Sequence, residues 1–123
     1  MKYVLIIEDD QFLADAYRAK FRNVKDMRVD LACDGNEALT KIKQQRPDAI
    51  ILDLLMPNLD GFGLLIKLRD DKLDIPVLVV SNMDTDEDIK KAMDLGAKDY
   101  FIKSNTPIQD IVQKVTDLMK EDL

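Results

Sequence analysis

Val4-Leu5-Ile6-Ile7-Glu8-Asp9-Asp10 sets four apolar residues directly before three acids. The same pattern returns along the chain: Ala49-Ile50-Ile51-Leu52 ends in Asp53, Val77-Leu78-Val79-Val80 in Ser81, and Tyr100-Phe101-Ile102 in Lys103. Short runs of Val, Ile and Leu without polar alternation are expected for strands covered on both faces. If the runs are parallel strands of one sheet, acids, a hydroxyl and an ammonium meet at one edge. Ligands of open α/β sheets bind there, outside the carboxyl ends of the strands. Such a set of groups suits a divalent cation and a phosphoryl group.

Strands are expected near residues 3–8, 28–32, 48–53, 76–81 and 98–103, the second being weaker and suited to a sheet edge. Helices are announced by their caps. Asp34-Gly35-Asn36-Glu37 places an acid three residues after a capping acid, ahead of Ala38, Leu39 and Ile42, and Pro47 closes the segment. Asp84 and Glu87 predict the start of the next-to-last helix in the same way, with Gly96 as its terminator. Thr106-Pro107-Ile108-Gln109 reads as an N-cap, a proline in the first helical position and a reciprocal Gln. Ile108, Ile111, Val112, Val115, Leu118 and Met119 then form an apolar stripe, predicted to face the core, on a helix reaching Leu123.

The order is thus β-α repeated five times, without internal repeat or linker, so residues 1–123 are predicted to form a single domain. Parallel strands joined by right-handed helical crossovers give a three-layer α/β/α sandwich. Of the common doubly wound arrangements, the flavodoxin-like (βα)5 order 2-1-3-4-5 suits five units with a weak second strand. Strands 1 and 3 are then neighbours, about 4.8 Å apart, which brings the tips carrying Asp9 and Asp53 within reach of one ion.

Composition narrows the function. A chain of 123 residues, 46% hydrophobic and 34% charged, is ordinary for a soluble globular domain. Its net charge of −6 argues against direct nucleic-acid binding, which needs a basic face. Cys33 is the only cysteine, which excludes an intrachain disulfide or thiolate cage; it is expected to be a half-buried filler. There is no histidine, so imidazole catalysis is excluded and zinc lacks its usual ligands. The longest apolar stretches are far too short to span a membrane, and Met1-Lys2-Tyr3 does not open a signal peptide, so the expected location is cytoplasmic.

Glu8, Asp9 and Asp53, crowded together, would repel one another, and without a cation at least one should titrate upward. All-oxygen ligands with room for water favour Mg²⁺, with Mn²⁺ as a substitute, over Zn²⁺. Asp10 suits capping of the first helix as well as it suits ion binding. Asp53 stands alone among Leu52, Leu54, Leu55 and Met56. It is either a metal ligand only or a nucleophile that accepts a phosphoryl group as a mixed anhydride. Ser81 and Lys103 favour the nucleophile, because three anionic oxygens can be shared among cation, hydroxyl and ammonium.

These residues resemble the receiver domain of two-component response regulators. The similarity runs through Ile7-Glu8-Asp9-Asp10, the stretch from Asp53 through Pro57 to Gly61, Ile75-Pro76 through Ser81, Gly96-Ala97 and Tyr100-Phe101-Ile102-Lys103. By that resemblance Asp53 is the phosphoacceptor, served by a histidine kinase or histidine phosphotransfer protein. Asp9 and Asp53 would ligate Mg²⁺ directly, the Leu55 backbone carbonyl would be a third ligand, and Glu8 would act through water. Ser81 and Lys103 would hold phosphoryl oxygens. Tyr100 matches the aromatic position that swings inward behind the hydroxyl residue and alters the surface of the fourth helix, fifth strand and fifth helix. A strand tyrosine with its hydroxyl at the rim is the alternative.

The chain departs from the family pattern in places, Ser81 keeping the hydroxyl donor where threonine is commoner. Ser104 follows Lys103 where proline, commonly cis, is usual; a non-proline cis bond costs roughly 2.5–4 kcal/mol, so a trans bond is expected. Asn82 stands where a very small residue is usual, and either narrows access or adds a hydrogen bond. The span from Asp53 to Ser81 looks slightly short, around Asp71–Asp74. Leu55 and Met83, both apolar, flank the family's path of hydrolytic water, which predicts slow self-dephosphorylation.

The expected function is a stand-alone, phosphorylation-activated switch acting on a downstream protein, as a monomer or weak dimer. It would catalyse only its own phosphorylation and dephosphorylation. One alternative is a receiver fragment of a longer DNA-binding regulator. Another is a Mg²⁺-dependent phosphohydrolase, for which no separate general base or substrate pocket is visible.

Overall fold

Alternate residues of the strands feed two different cores. In β1 (Lys2–Ile7), Tyr3, Leu5 and Ile7 face one side of the sheet, and Val4 and Ile6 the other. β3 (Ala49–Leu52) divides Ile50 and Leu52 from Ala49 and Ile51, and β4 (Val77–Ser81) divides Val77 and Val79 from Leu78 and Val80. This two-residue period explains why the runs carry no polar alternation: both faces are covered. Leu5, Ile6, Ile7, Ile50, Leu52 and Leu78 are fully buried. Each such side chain contributes about 1.5–3 kcal/mol by leaving water.

The protein, a computed structural model, is described over residues 1–121. The remaining elements are α1 (Gln11–Phe21), β2 (Met27–Ala32), α2 (Gly35–Gln44), α3 (Gly61–Asp70), α4 (Asp86–Asp94), β5 (Asp99–Ile102) and α5 (Ile108–Glu121). A 3-10 turn, Lys103–Asn105, separates β5 from α5. All strand pairs are parallel, in the order β2-β1-β3-β4-β5. Helices α2, α3 and α4 cover one face through residues such as Ile42, Leu64 and Ala92. Helices α1 and α5 cover the other through Tyr17, Phe21, Ile111 and Val115. The three layers, the strand order and β2 as an edge strand all match expectation. The apolar stripe of α5 does face the core, while its expected end at Leu123 lies outside the described residues.

Most caps fall where the sequence puts them. Asp34 accepts from Glu37 N at 2.8 Å, and Glu37 returns the favour by accepting from Cys33 N at 3.1 Å. Gly96, at φ +109°, ends α4 with its amide on the Met93 carbonyl and Ala97 N on the Ala92 carbonyl.

Three local expectations are corrected. The cap of α4 is Thr85, not Asp84: Thr85 Oγ1 accepts from Asp88 N at 3.1 Å and donates to the Asp88 carboxylate at 2.8 Å, an N-cap shifted by one residue. Thr106 does not cap α5. Its hydroxyl donates back to the Ile102 carbonyl at 3.0 Å, because the 3-10 turn presents that oxygen to it. Cys33 is exposed and not half-buried, since it lies just past the end of an edge strand.

Candidate functional site

Register brings the polar strand ends together. Ile7 pairs with Leu52, Leu52 with Val79, and Ser81 with Ile102. The residues that follow these rungs therefore share one edge. Glu8, Asp53 and Ser81 are the buried polar or charged residues among those described, and all three lie here. Burial of polar groups is costly unless they are paired, so their convergence points to a site.

The pairing is specific. Lys103 Nζ lies 2.7 Å from Glu8 Oε1 and 2.9 Å from Asp53 Oδ2. The second oxygen of each acid takes a backbone amide, Asp10 N on Glu8 Oε2 at 3.1 Å and Leu55 N on Asp53 Oδ1 at 3.2 Å. Burial pushes the Glu8 carboxyl up to about 7, against the pull of Lys103 and the Asp10 amide, with the neighbouring Asp53 charge adding to the rise. Burial alone would lower the Lys103 ammonium, but its bonds to Glu8 and Asp53 outweigh that and raise it. Tyr17, buried beneath, is raised by burial and then by the charges of Glu8 and Asp53.

Glu8, Asp9 and Asp53 each offer an oxygen, and these oxygens lie within 4.8 Å of one another. Asp9 is exposed while its two partners are buried. A set of carboxylates with no nitrogen or sulfur donor fits a hard divalent cation. Asp10 turns away from this set: it caps α1, accepting from Phe12 N and Leu13 N.

The hydroxyl side is arranged around Met83. Ser81 Oγ accepts from Met83 N at 3.2 Å, and the Tyr100 hydroxyl donates to the Met83 carbonyl at 2.5 Å. Tyr100 is half-buried, and burial raises its phenol, partly offset by a hydrogen bond with Ser81. Leu55 stands 59% exposed at the mouth, whereas Met83 packs against the α2–α3–α4 core.

The loop after β3 is clamped. Asn58, at φ +66°, donates to Asp34 Oδ2 at 2.9 Å, and Leu59 fills a slot left by two glycines. A Cβ on Gly35 would lie 2.3 Å from the Leu59 carbonyl, and one on Gly63 2.7 Å from its side chain. The Lys103–Ser104 peptide is trans, as expected, and Asn82 does add a hydrogen bond. Its Oδ1 accepts from Ser104 N at 3.0 Å, a partner the sequence reading did not identify. The signal was present in the missing proline, since only a non-proline residue at 104 has an N–H to give.

Comparison with known proteins settles the lineage. The sequence model of the response regulator receiver domain matches residues 4–116. The chain belongs to the response regulator receiver family. Response regulator MprA of Mycolicibacterium vanbaalenii is 37% identical over 100 residues, covering 81% of this chain and 43% of that protein. This receiver therefore spans less than half the length of the curated relatives it matches. The receiver domain of Francisella response regulator 1452 superposes with a TM-score of 0.92 at 32% identity, with both chains fully covered. The Mn²⁺-bound form of response regulator Rcp1 superposes with a TM-score of 0.82 at 25% identity, over 90% of this chain and 91% of that one. Among the described residues of this receiver, no helix is long and apolar enough to cross a membrane.

Proposed function

We propose that residues 1–123 form one receiver domain, cytoplasmic, in which Asp53 accepts a phosphoryl group from a phosphohistidine of another protein. The donor histidine lies outside residues 1–123, which contain none. A histidine kinase or phosphotransfer protein fits, and a downstream protein would read the result. The observation that carries this reading is the convergence of the buried acids Glu8 and Asp53 on the Lys103 ammonium, at the sheet edge that also carries the buried Ser81.

An Asp53 oxygen forms the new O–P bond as the P–N bond to the donor imidazole breaks, and the leaving nitrogen keeps the electron pair and takes a proton from solvent. Asp9, Asp53 and the Leu55 carbonyl would hold Mg²⁺, with Glu8 acting through water and Mn²⁺ able to substitute. The ion supplies charge neutralisation for the transferring oxygens. Lys103, now between two carboxylates, exchanges one of them for a phosphoryl oxygen. The Ser81 hydroxyl accepts from Met83 N, and its own proton would go to a second phosphoryl oxygen. Phosphate converts the switch only to the extent that it prefers one arrangement of these groups over the other.

Labelling by a small phosphodonor such as phosphoramidate, with Mg²⁺ and after its chelation, tests the reading. One phosphoryl group per wild-type chain and none on Asp53→Asn is the expected result; equal labelling of the variant would refute it. The decay of that label reports on Leu55, whose apolar side chain cannot orient an attacking water. Slow loss from wild type and faster loss from Leu55→Asn are expected, and unchanged decay would refute the role of this residue.

A further inference from the structure

Two loops leave the sheet side by side at the functional edge. The last β4–β5 rung pairs Ser81 with Ile102, and beyond it the strands diverge. Past the divergence, Asn82 Oδ1 reaches across to the Ser104 amide at 3.0 Å, linking residues 22 apart in sequence. The neighbours of this bond are the groups the site uses. Ser81, fully buried, precedes Asn82; Lys103, bonded to Glu8 and Asp53, precedes Ser104.

Asn82 and Ser104 are both exposed, so water could satisfy either group and the bond is not forced by burial. It instead acts on geometry. Ser104 occupies the middle of the 3-10 turn Lys103–Asn105, and the far side of that turn is tied back by Thr106 Oγ1 on the Ile102 carbonyl. The backbone at Lys103 is therefore restrained from two directions. A lysine ammonium rides on a flexible four-carbon stem, so its reach is defined only as well as its Cα is held.

We infer that Asn82 is a positioning residue, whose side chain prolongs the β4–β5 connection and sets the Lys103 backbone against Ser81, so that ammonium and hydroxyl meet the phosphoryl oxygens at a defined spacing. The inference rests on the phosphoacceptor reading above. An apolar residue at 82 lacks the acceptor, and proline at 104 lacks the donor. Proline there would also disfavour the helical backbone at Lys103 that the 3-10 turn requires.

The test combines amide exchange at Ser104 with Mg²⁺-dependent binding of fluoroberyllate, a phosphoryl mimic, in wild type, Asn82→Ala and Asn82→Asp. The Ser104 amide should be protected in wild type, unprotected in Asn82→Ala, and protected again in Asn82→Asp, which keeps the acceptor oxygen. Fluoroberyllate affinity should fall about fivefold in Asn82→Ala, the order of one hydrogen bond. In a Lys103→Ala background the same change should alter affinity less than about twofold, because its effect runs through Lys103. An unprotected Ser104 amide in wild type, or equal losses with and without Lys103, overturns the inference alone. Failure of wild type to bind fluoroberyllate overturns both this inference and the phosphoacceptor reading.

Discussion

The carboxylates of the site stand on central strands, whereas the ammonium stands where the sheet runs out. β1 and β3 each have a neighbour on both sides, and the ladder continues into the acids: Glu8 N donates to Ala32 O at 2.9 Å and Asp53 N to Ile7 O at 3.1 Å. β5 is an edge strand, and Lys103 lies beyond its last paired residue, in a short turn held by Thr106 and Asn82. The buried acids are thus fixed by the same hydrogen bonds that make the sheet. Ser81, Tyr100 and Lys103 are instead engaged through side-chain atoms, Ser81 and Tyr100 with Met83 and Lys103 with Glu8 and Asp53, and such bonds can be exchanged for others. A switch needs both: a fixed charge to receive the group, and weakly held partners whose rearrangement can be read at the surface.

The acid half should be the harder to perturb without unfolding the protein. Gly61 is where it is most vulnerable, because a Cβ there would lie 2.6 Å from the Leu54 Cα and 2.9 Å from the Asp53 carbonyl. Backbone cannot step aside as a side-chain tip can. Gly61→Ala is expected to cost about 3 kcal/mol in urea denaturation, the upper part of the overpacking range. A cost below about 1 kcal/mol would show that the loop after β3 is not rigid, and the contrast between the halves would fail.

Charge within the acid half gives the next largest effect. Burial raises the Glu8 carboxyl to about 7 from its usual 4.5. A raised carboxyl means the folded state holds a proton that the unfolded chain has released. The associated stability is present below the unfolded value and is lost as pH rises through about 7. With Mg²⁺ chelated, stability should therefore fall on going from pH 5 to 7, at up to about 1.4 kcal/mol per pH unit. Glu8→Gln should flatten that slope, and thermal denaturation across the pH range would show it. A wild-type slope of opposite sign would mean that Lys103 dominates the environment of Glu8.

The smallest effect is expected on the other side of the site. Tyr100→Phe removes only the hydroxyl that donates to the Met83 carbonyl. The loss should be about 1 kcal/mol, while Mg²⁺ affinity, followed by titration, stays at the wild-type value. A parallel loss of Mg²⁺ affinity would show that the two halves are mechanically coupled even without phosphate.

Much of this was legible in the residues because the periodicity is strong. Apolar runs ending in acids announced β1 and β3, and the caps at Asp34 and Gly96 act as their chemistry requires. The α4 cap was misplaced by one residue because Asp84-x-x-Glu87 and Thr85-x-x-Asp88 are overlapping capping patterns. Local sequence does not choose between them. Cys33 was misjudged for a related reason, since composition says how often a cysteine is buried but not that this one follows the end of an edge strand.

By itself the sequence determined the strands and the identities of the groups at their ends, because burial on two faces imposes a pattern that each segment must carry. Tertiary structure alone decided which atoms touch. That Lys103 bridges Glu8 and Asp53, that Tyr100 turns in to Met83, and that Asn82 meets Ser104 all follow from contacts between separate segments. A hydrogen bond changes partner over an ångström or less, a distance that periodicity and propensity do not encode and only the packed sheet defines.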